Sequence, residues 1–310
     1  MRYTAPVLIL VLVAGGLWLV PLDRWVAVLN ASDPSWLVWA SLSVVVIQST
    51  EAARLVCLST LPVGMWRSVA KITCAAGAIS LLPSGWFGGD AYRGHAASKM
   101  GLGLSGAVSA VLLSRVIGLF ATLGLTGIAA LLLAPGHGGV GLTLGLEGAV
   151  GVLAIGGSLA VVAAASFMLL RKTTLARQFQ QFLRNTVLAV TATPRHRLVM
   201  AVVLGLGTAI ARAALLWVAA KSVGTSLNLD VALLIGGLAL IVTIVPVVGT
   251  TVGVREAVVA GLLAGFGVDA PSAISISVLA RLVTALTCVT AWGALAAAER
   301  VWPPQIAGKP

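Results

Sequence analysis

The sequence predicts an all-α polytopic membrane protein, with about six spanning helices and two re-entrant broken-helix hairpins in an inverted repeat. Three observations carry that reading. The 310 residues are 59% hydrophobic and only 9% charged, where soluble domains average about 25% charged. Apolar runs recur at lengths that suit a bilayer, which a helix crosses in roughly 20 residues. Twice, an apolar run breaks at a proline, passes through a glycine-bearing link and restarts on a pair of opposite charges.

The first break holds Pro83, Gly85, Gly88 and Gly89, followed by Asp90 and Arg93; the second holds Pro246, Gly249 and Gly253, followed by Arg255 and Glu256. Proline removes a backbone donor and glycine frees φ. A helix is therefore expected to stop at each proline and to restart just after Gly89 and just after Gly253. Asp90 and Arg93, three apart, share a face of the restarted helix. Non-helical backbone at membrane depth is tolerated only against protein or a water-filled cavity, and charge placed there points to function.

In chain order, Pro6 to Val20 reads as a first span, with no small-residue cleavage site of the kind a signal peptide carries. Ser35 to Leu61 is a second, carrying Glu51 and Arg54. Val69 to Leu82 is about fourteen residues, too short to cross as a helix, and Ala91 to Met100 is shorter still. Leu102 to Leu133 spans and carries Arg115. Pro135 to Gly139 is a turn, and Gly151 to Leu170 spans without charge. Residues 171–197 hold six arginines and lysines and no acid. Leu198 to Ala220 spans with Arg212, Val231 to Val248 and Val258 to Phe266 flank the second break, and Ile274 to Ala298 spans with Arg281.

The net charge of +11 does not indicate nucleic acid, because its distribution follows membrane orientation. If Val69–Met100 and Val231–Phe266 each return to their own side, then Arg2, Arg67, Lys71, Lys99, the 171–197 loop, Arg300 and Lys309 all fall on one side. By the positive-inside rule that side is the cytoplasm, with both termini in it and the loop a basic cytoplasmic one. The domain is then a single membrane unit over 1–310, with one repeat at about 35–133 and another at about 198–298. Ala53-Arg54 matches Ala211-Arg212, and Leu113-Ser114-Arg115-Val116 matches Leu279-Ala280-Arg281-Leu282. Inverted repeats with discontinuous helices commonly surround a midplane binding site.

Nine charges fall within these apolar segments: Glu51, Arg54, Asp90, Arg93, Arg115, Arg212, Arg255, Glu256 and Arg281. Arginines outnumber carboxylates, and the guanidinium fork fits a phosphate in bidentate fashion. Helix N-termini after the two breaks add N–H donors suited to an anion. These nine are the candidate substrate-binding residues, and the expected ligand is a phosphate-bearing headgroup. The bland alternative makes Asp90–Arg93 and Arg255–Glu256 mutually neutralising struts and lets Arg54 snorkel from a helix end. Arg115 resists it, lying well inside its span, where insertion scales put a central arginine at about 2.5–3.5 kcal/mol. His95, His137 and His196 are scattered, and Cys57, Cys74 and Cys288 read as small buried hydrophobes, so no cofactor or metal is expected. A nucleotide-binding Gly-x-x-x-x-Gly-Lys is missing from the sequence. Movement of a ligand would then be downhill, ion-coupled or trap-driven. Glu51, Asp90 and Glu256 are the proton-carrier candidates, with Asp90 ahead of Glu256.

At Pro83-x-Gly85 with Gly88-Gly89-Asp90 and Arg93, at Leu113-x-Arg115, at Pro246 with Gly253-Val254-Arg255-Glu256, and at Ala280-Arg281-Leu282, the chain resembles a known family. It is similar to the flippase-like integral membrane proteins related to the membrane (flippase) domain of lysylphosphatidylglycerol synthases. The resemblance runs from about Ser35 to Ala298. It implies movement of lipids or lipid-linked precursors across the cytoplasmic membrane of a bacterium or archaeon. The ligand would be an anionic phospholipid or a polyprenyl-phosphate-linked lipid, and the partners lipid-synthesis enzymes or a second copy of the chain. The second motif, Val247-Val248-Gly249-Thr250-Thr251, is poorer in glycine than the family's. No soluble aminoacyltransferase domain accompanies the matched segments, so synthase activity does not carry over. A transporter rather than an enzyme is expected, with a membrane-embedded transferase or phosphatase acting on a lipid phosphate as the alternative.

Overall fold

The computed structural model describes residues 33–80, 85–133, 193–244 and 254–301. The expected spans Pro6–Val20 and Gly151–Leu170, most of the basic loop, the C-terminal tail, and the break residues Pro83, Pro246, Gly249 and Gly253 lie outside them. Among the described residues eight α-helices follow one another: α1 Pro34–Leu58, α2 Trp66–Ile79, α3 Gly85–Ala97, α4 Gly103–Leu132, α5 Arg195–Ser222, α6 Leu229–Ile244, α7 Val254–Gly265 and α8 Ala270–Val301. The all-α polytopic class holds. Helices at Pro34–Leu58, Gly88–Leu132, Arg195–Ser222 and Ala270–Arg300 are each long and apolar enough to cross a membrane. Between them sit two pairs of short helices, α2 and α3 of 14 and 13 residues, α6 and α7 of 16 and 12.

Local chemistry accounts for most of the boundaries. Asp33 caps α1 by accepting from the Ser35 backbone N–H, with Pro34 at the first helical position. A π-helical turn, Ser98–Leu102, joins α3 to α4, and there Gly101 and Gly103 take φ of 103° and 66°. That left-handed backbone favours glycine and bends the chain. The far end of α7 closes where Gly267, at φ 83°, lets the Val268 N–H reach back to the Leu263 carbonyl, a left-handed helix stop.

The central contact is α1 on α5. The two run antiparallel, since the Asp33 N–H bonds the Ser222 carbonyl at one end and Arg197 Nη1 bonds the Ser59 carbonyl at the other. Midway, the hydroxyls of Thr50 and Thr208 meet at 2.9 Å. Small residues line the contact on the α5 side, with Ala201, Gly205, Thr208 and Ala209 all buried, and these allow close approach without bulky side chains. Around this axis α2 packs on α8 while α6 packs on α4. Val38, Trp39, Leu42, Phe120, Leu131, Val199 and Val203 point outward and are exposed, an apolar outer surface that suits lipid. The polar chemistry is inside.

Two boundaries differ from the sequence reading. Gly88 and Gly89 do not form a break, because α3 already starts at Gly85. Gly89 is needed for packing instead: a Cβ there would lie 2.6 Å from the Ala76 carbonyl oxygen on α2. The basic loop also ends before Arg197, since Arg195 to Arg197 form the first turn of α5 behind Pro194.

Candidate functional site

Glu51 is the hub of the interior. It sits on the buried face of α1 at 4% exposure, and three other helices bring arginines to it. Arg93 of α3 donates from Nη2 to Oε2 at 2.9 Å, and Arg212 of α5 from Nη2 to Oε1 at 2.6 Å. Arg115 of α4 places Nη1 at 3.8 Å from Oε1. A carboxylate offers about four lone-pair sites, so one acid can serve several guanidiniums. Asp90 holds Arg115 from the side: Nε lies 3.1 and 2.9 Å from its two oxygens, and Nη2 donates to Oδ1 at 2.7 Å. Its helical neighbour Arg93 is farther off, at 3.8 Å.

Arg54 stands behind this group, buried to 2% exposure. Its Nε donates to the Ser114 hydroxyl at 2.8 Å, and its Nη1 has no hydrogen-bond partner among the described residues. The guanidinium lies flat on α4, where a Cβ on Gly118 would come within 2.8 Å of Nη1. In the second series of helices, Arg281 of α8 donates to Glu256 of α7. The Asp90–Arg115 and Glu256–Arg281 pairs each join residues 25 apart in sequence.

These groups border a cavity of about 220 Å³. Glu51, Arg93, Arg115 and Arg212 line it from the first group, and Arg255, Glu256 and Arg281 from the second. Ile47, Leu215, Leu216, Ile235 and Val259 form its apolar wall. Arg255 makes no ion pair within 4 Å among the described residues. A smaller void of about 20 Å³ lies between Arg54, Arg115 and Arg212. What the main cavity offers chemically is a cationic pocket with apolar side chains in its lining, set among helices that cross a membrane.

The family of the lysylphosphatidylglycerol synthase TM region matches residues 6–293. The chain belongs to that family. No curated protein and no solved structure matches it. Membership places it among membrane proteins of lipid-related function.

Of the nine charges picked out in the sequence of this family member, seven line the cavity and the other two, Asp90 and Arg54, stand directly behind it. Their pairing differs from the expectation. Asp90–Arg93 and Arg255–Glu256 are not self-contained struts: Asp90 turns to Arg115, Arg93 to Glu51, and Glu256 to Arg281. Arg54 does not snorkel, because α4 and α5 cover it. Asp90 and Glu256 are both ion-paired, with Asp90 the more exposed of the two, 23% against 14%. Cys74 and Cys288 are buried as expected, while Cys57 is only partly so.

Sequence reasoning passed over Gln48 and Ser114. Gln48 lines the cavity one turn before Glu51 and donates to Cys288 Sγ at 3.2 Å. The signal for both was a polar residue on an apolar helix one turn from, or next to, a charge. Glu299 was missed too. It accepts from Ser68 at 2.8 Å and pairs with Lys71, joining the start of α2 to the end of α8.

Proposed function

We propose that this protein moves a phosphate-bearing lipid, or a lipid-linked precursor, across the membrane through the arginine-lined cavity. The observation that carries the reading is the cavity lining: five arginines and two glutamates together with aliphatic side chains. Guanidiniums bind phosphate oxygens by charge-assisted, bidentate hydrogen bonds, and an aliphatic wall suits the root of an acyl or prenyl chain. In this reading the short pairs α2/α3 and α6/α7 are re-entrant hairpins of an inverted repeat. Support comes from the antiparallel run of α1 and α5 and the shared 25-residue spacing of the two ion pairs. Rocking of one repeat against the other would expose the cavity to each side in turn. A transferase or phosphatase would need a cavity acid able to move a proton, whereas both glutamates on the wall are held by arginines. The membrane would be a cytoplasmic one, with Lys71, Arg195 and Arg197 on its inner side by the positive-inside rule.

The test is reconstitution of the full chain in vesicles with a fluorescent phosphate-bearing lipid and an impermeant quencher. The wild type should make the inner-leaflet pool quenchable, and Arg115→Ala or Arg281→Ala at equal protein level should abolish that gain. No gain with wild-type protein, together with release of inorganic phosphate, would replace the transport reading with the enzymatic one.

A further inference from the structure

The charges around the cavity do not balance. Among the described residues Arg54, Arg93, Arg115, Arg212, Arg255 and Arg281 face three acids, Glu51, Asp90 and Glu256, an excess of three positive charges. In sequence, residues 81–84 and 245–253 contain no ionisable group. Asp90 takes Arg115, Glu256 takes Arg281, and Glu51 divides itself between Arg93 and Arg212. What remains among the described residues is a half-satisfied Arg93–Arg212 pair, Arg255 without an ion pair, and Arg54 with an unpartnered Nη1. Arg93 Nε is likewise buried and without a partner among the described residues. Arg54 and Arg93 are buried, where uncompensated charge is costly, while Arg255 lines the cavity with an exposed side chain; like charges so close together repel, so an anion entering the cavity relieves both penalties.

Resting on the reading of the cavity as a lipid-phosphate site, we infer that the group it takes is a dianionic phosphate, a monoester or a diphosphate. A monoester carries about −1.5 to −2 at pH 7 because its second ionisation lies near pH 6. It therefore removes most of the excess and presents three terminal oxygens to the spare donors. A phosphodiester brings a single negative charge and leaves about two positive charges uncompensated. A headgroup bearing ammonium groups, such as a lysyl ester, adds to the repulsion. The void of about 20 Å³ between Arg54, Arg115 and Arg212 has room for one water, so Arg54 acts on the ligand through its charge and a water rather than by contact. The aliphatic wall favours a chain-bearing phosphate over the free ion.

The experiment measures binding to the full chain in detergent micelles. The probes are dodecyl phosphate, farnesyl diphosphate, dioleoylphosphatidylglycerol, its lysyl ester and inorganic phosphate. The first two should bind about tenfold or more tighter than phosphatidylglycerol, the scale of one charge-assisted hydrogen bond, and the lysyl ester should be weakest. Between pH 7.5 and 5.0 dodecyl phosphate should weaken several-fold as it takes up its second proton, while phosphatidylglycerol stays level. The charged groups facing the ligand are Glu51, Arg93, Arg115, Arg212, Arg255, Glu256 and Arg281; the lining parts of α2 and α6 carry none. Phosphatidylglycerol thus reports any titration of the protein itself. Arg255→Gln, which breaks no ion pair among the described residues, should cost dodecyl phosphate about tenfold and narrow its margin over phosphatidylglycerol. Phosphatidylglycerol or its lysyl ester binding as tightly as dodecyl phosphate, without the pH step, overturns the inference and leaves the lipid-phosphate reading standing. Inorganic phosphate matching dodecyl phosphate keeps the dianion and overturns the lipid. No binding of any phosphate to folded protein overturns both.

Discussion

The two helix series, α1 to α4 and α5 to α8, have the same order of long, short, short and long elements, with lengths of 25, 14, 13 and 30 residues against 28, 16, 12 and 32. Their ionic chemistry is not the same. Thr50 and Arg54 on α1 correspond to Thr208 and Arg212 on α5, 158 positions on, and the two threonines touch. At the position of Glu51, however, α5 has Ala209. With no acid of its own, Arg212 crosses to Glu51, while Arg54, crowded off the same acid, turns back onto Ser114 and Gly118. Three residues after Arg281, where α4 has Gly118, α8 has Thr284, whose hydroxyl donates to the Ala280 carbonyl. The first series therefore holds the hub and the second contributes to it. The same order of helices does not impose the same charges.

Removing the hub is the strongest way to break that comparison. Glu51→Ala strands Arg93 and Arg212 without their close partner and takes one from Arg115, so it should cost about 3–5 kcal/mol, the range for a buried pair losing one member. Glu256→Ala removes one ion pair, that to Arg281, and should cost less. Unfolding in detergent monitored by helical circular dichroism compares the two, and equal losses would remove Glu51 from its central place. Next comes Gly118→Ala, which drives a methyl to within 2.8 Å of the Arg54 guanidinium. Overpacking of this kind costs about 1–3 kcal/mol, and the same assay should register it. An unchanged stability would mean Arg54 is free to move away.

A smaller effect tests the contact the two series share. Thr50→Val deletes the 2.9 Å hydroxyl bond to Thr208, and interhelical bonds in membranes average about 0.6 kcal/mol. Thr208→Val should match it, because the bond is common to both. The smallest effect concerns the caps. Asp33 at α1 and Asp269 at α8 lie outside the spanning helices, and both carboxyls are held below their usual value. The cause is the Ser35 backbone N–H and then its hydroxyl for Asp33, and the same groups of Ser272 for Asp269. A depressed folded-state pKa contributes stability above the unfolded value of about 3.9, and that contribution is lost as pH falls through the folded value. Amide exchange should thus show the first turns of α1 and α8 loosening together below about pH 4. Asp33→Asn should remove the pH dependence at α1 alone.

Much of this was legible in the residues. Apolar length gave the long helices, and proline with glycine marked where α2 and α6 end, because a missing donor and a free φ act locally. Restart positions were less legible. Glycine tolerates a helix as readily as a break when a neighbour needs close approach, as Ala76 does beside Gly89. The charged residues of the site were all found, since a guanidinium in an apolar run is conspicuous at any position.

Their partners were not found, and the reason is physical. Sequence spacing links Asp90 to Arg93 and Arg255 to Glu256, as helix neighbours. Where several charges share a confined interior, the pairing that wins is the one that leaves the fewest unsatisfied buried groups, and that count depends on every helix present. The chain by itself determined its helices, its membrane character, its family and its surplus of arginine. Only the tertiary structure decided that one glutamate on α1 gathers guanidiniums from three other helices. It did so because close packing of α1 on α5 brings Glu51 within reach of Arg212, which has only an alanine at the corresponding place on its own helix.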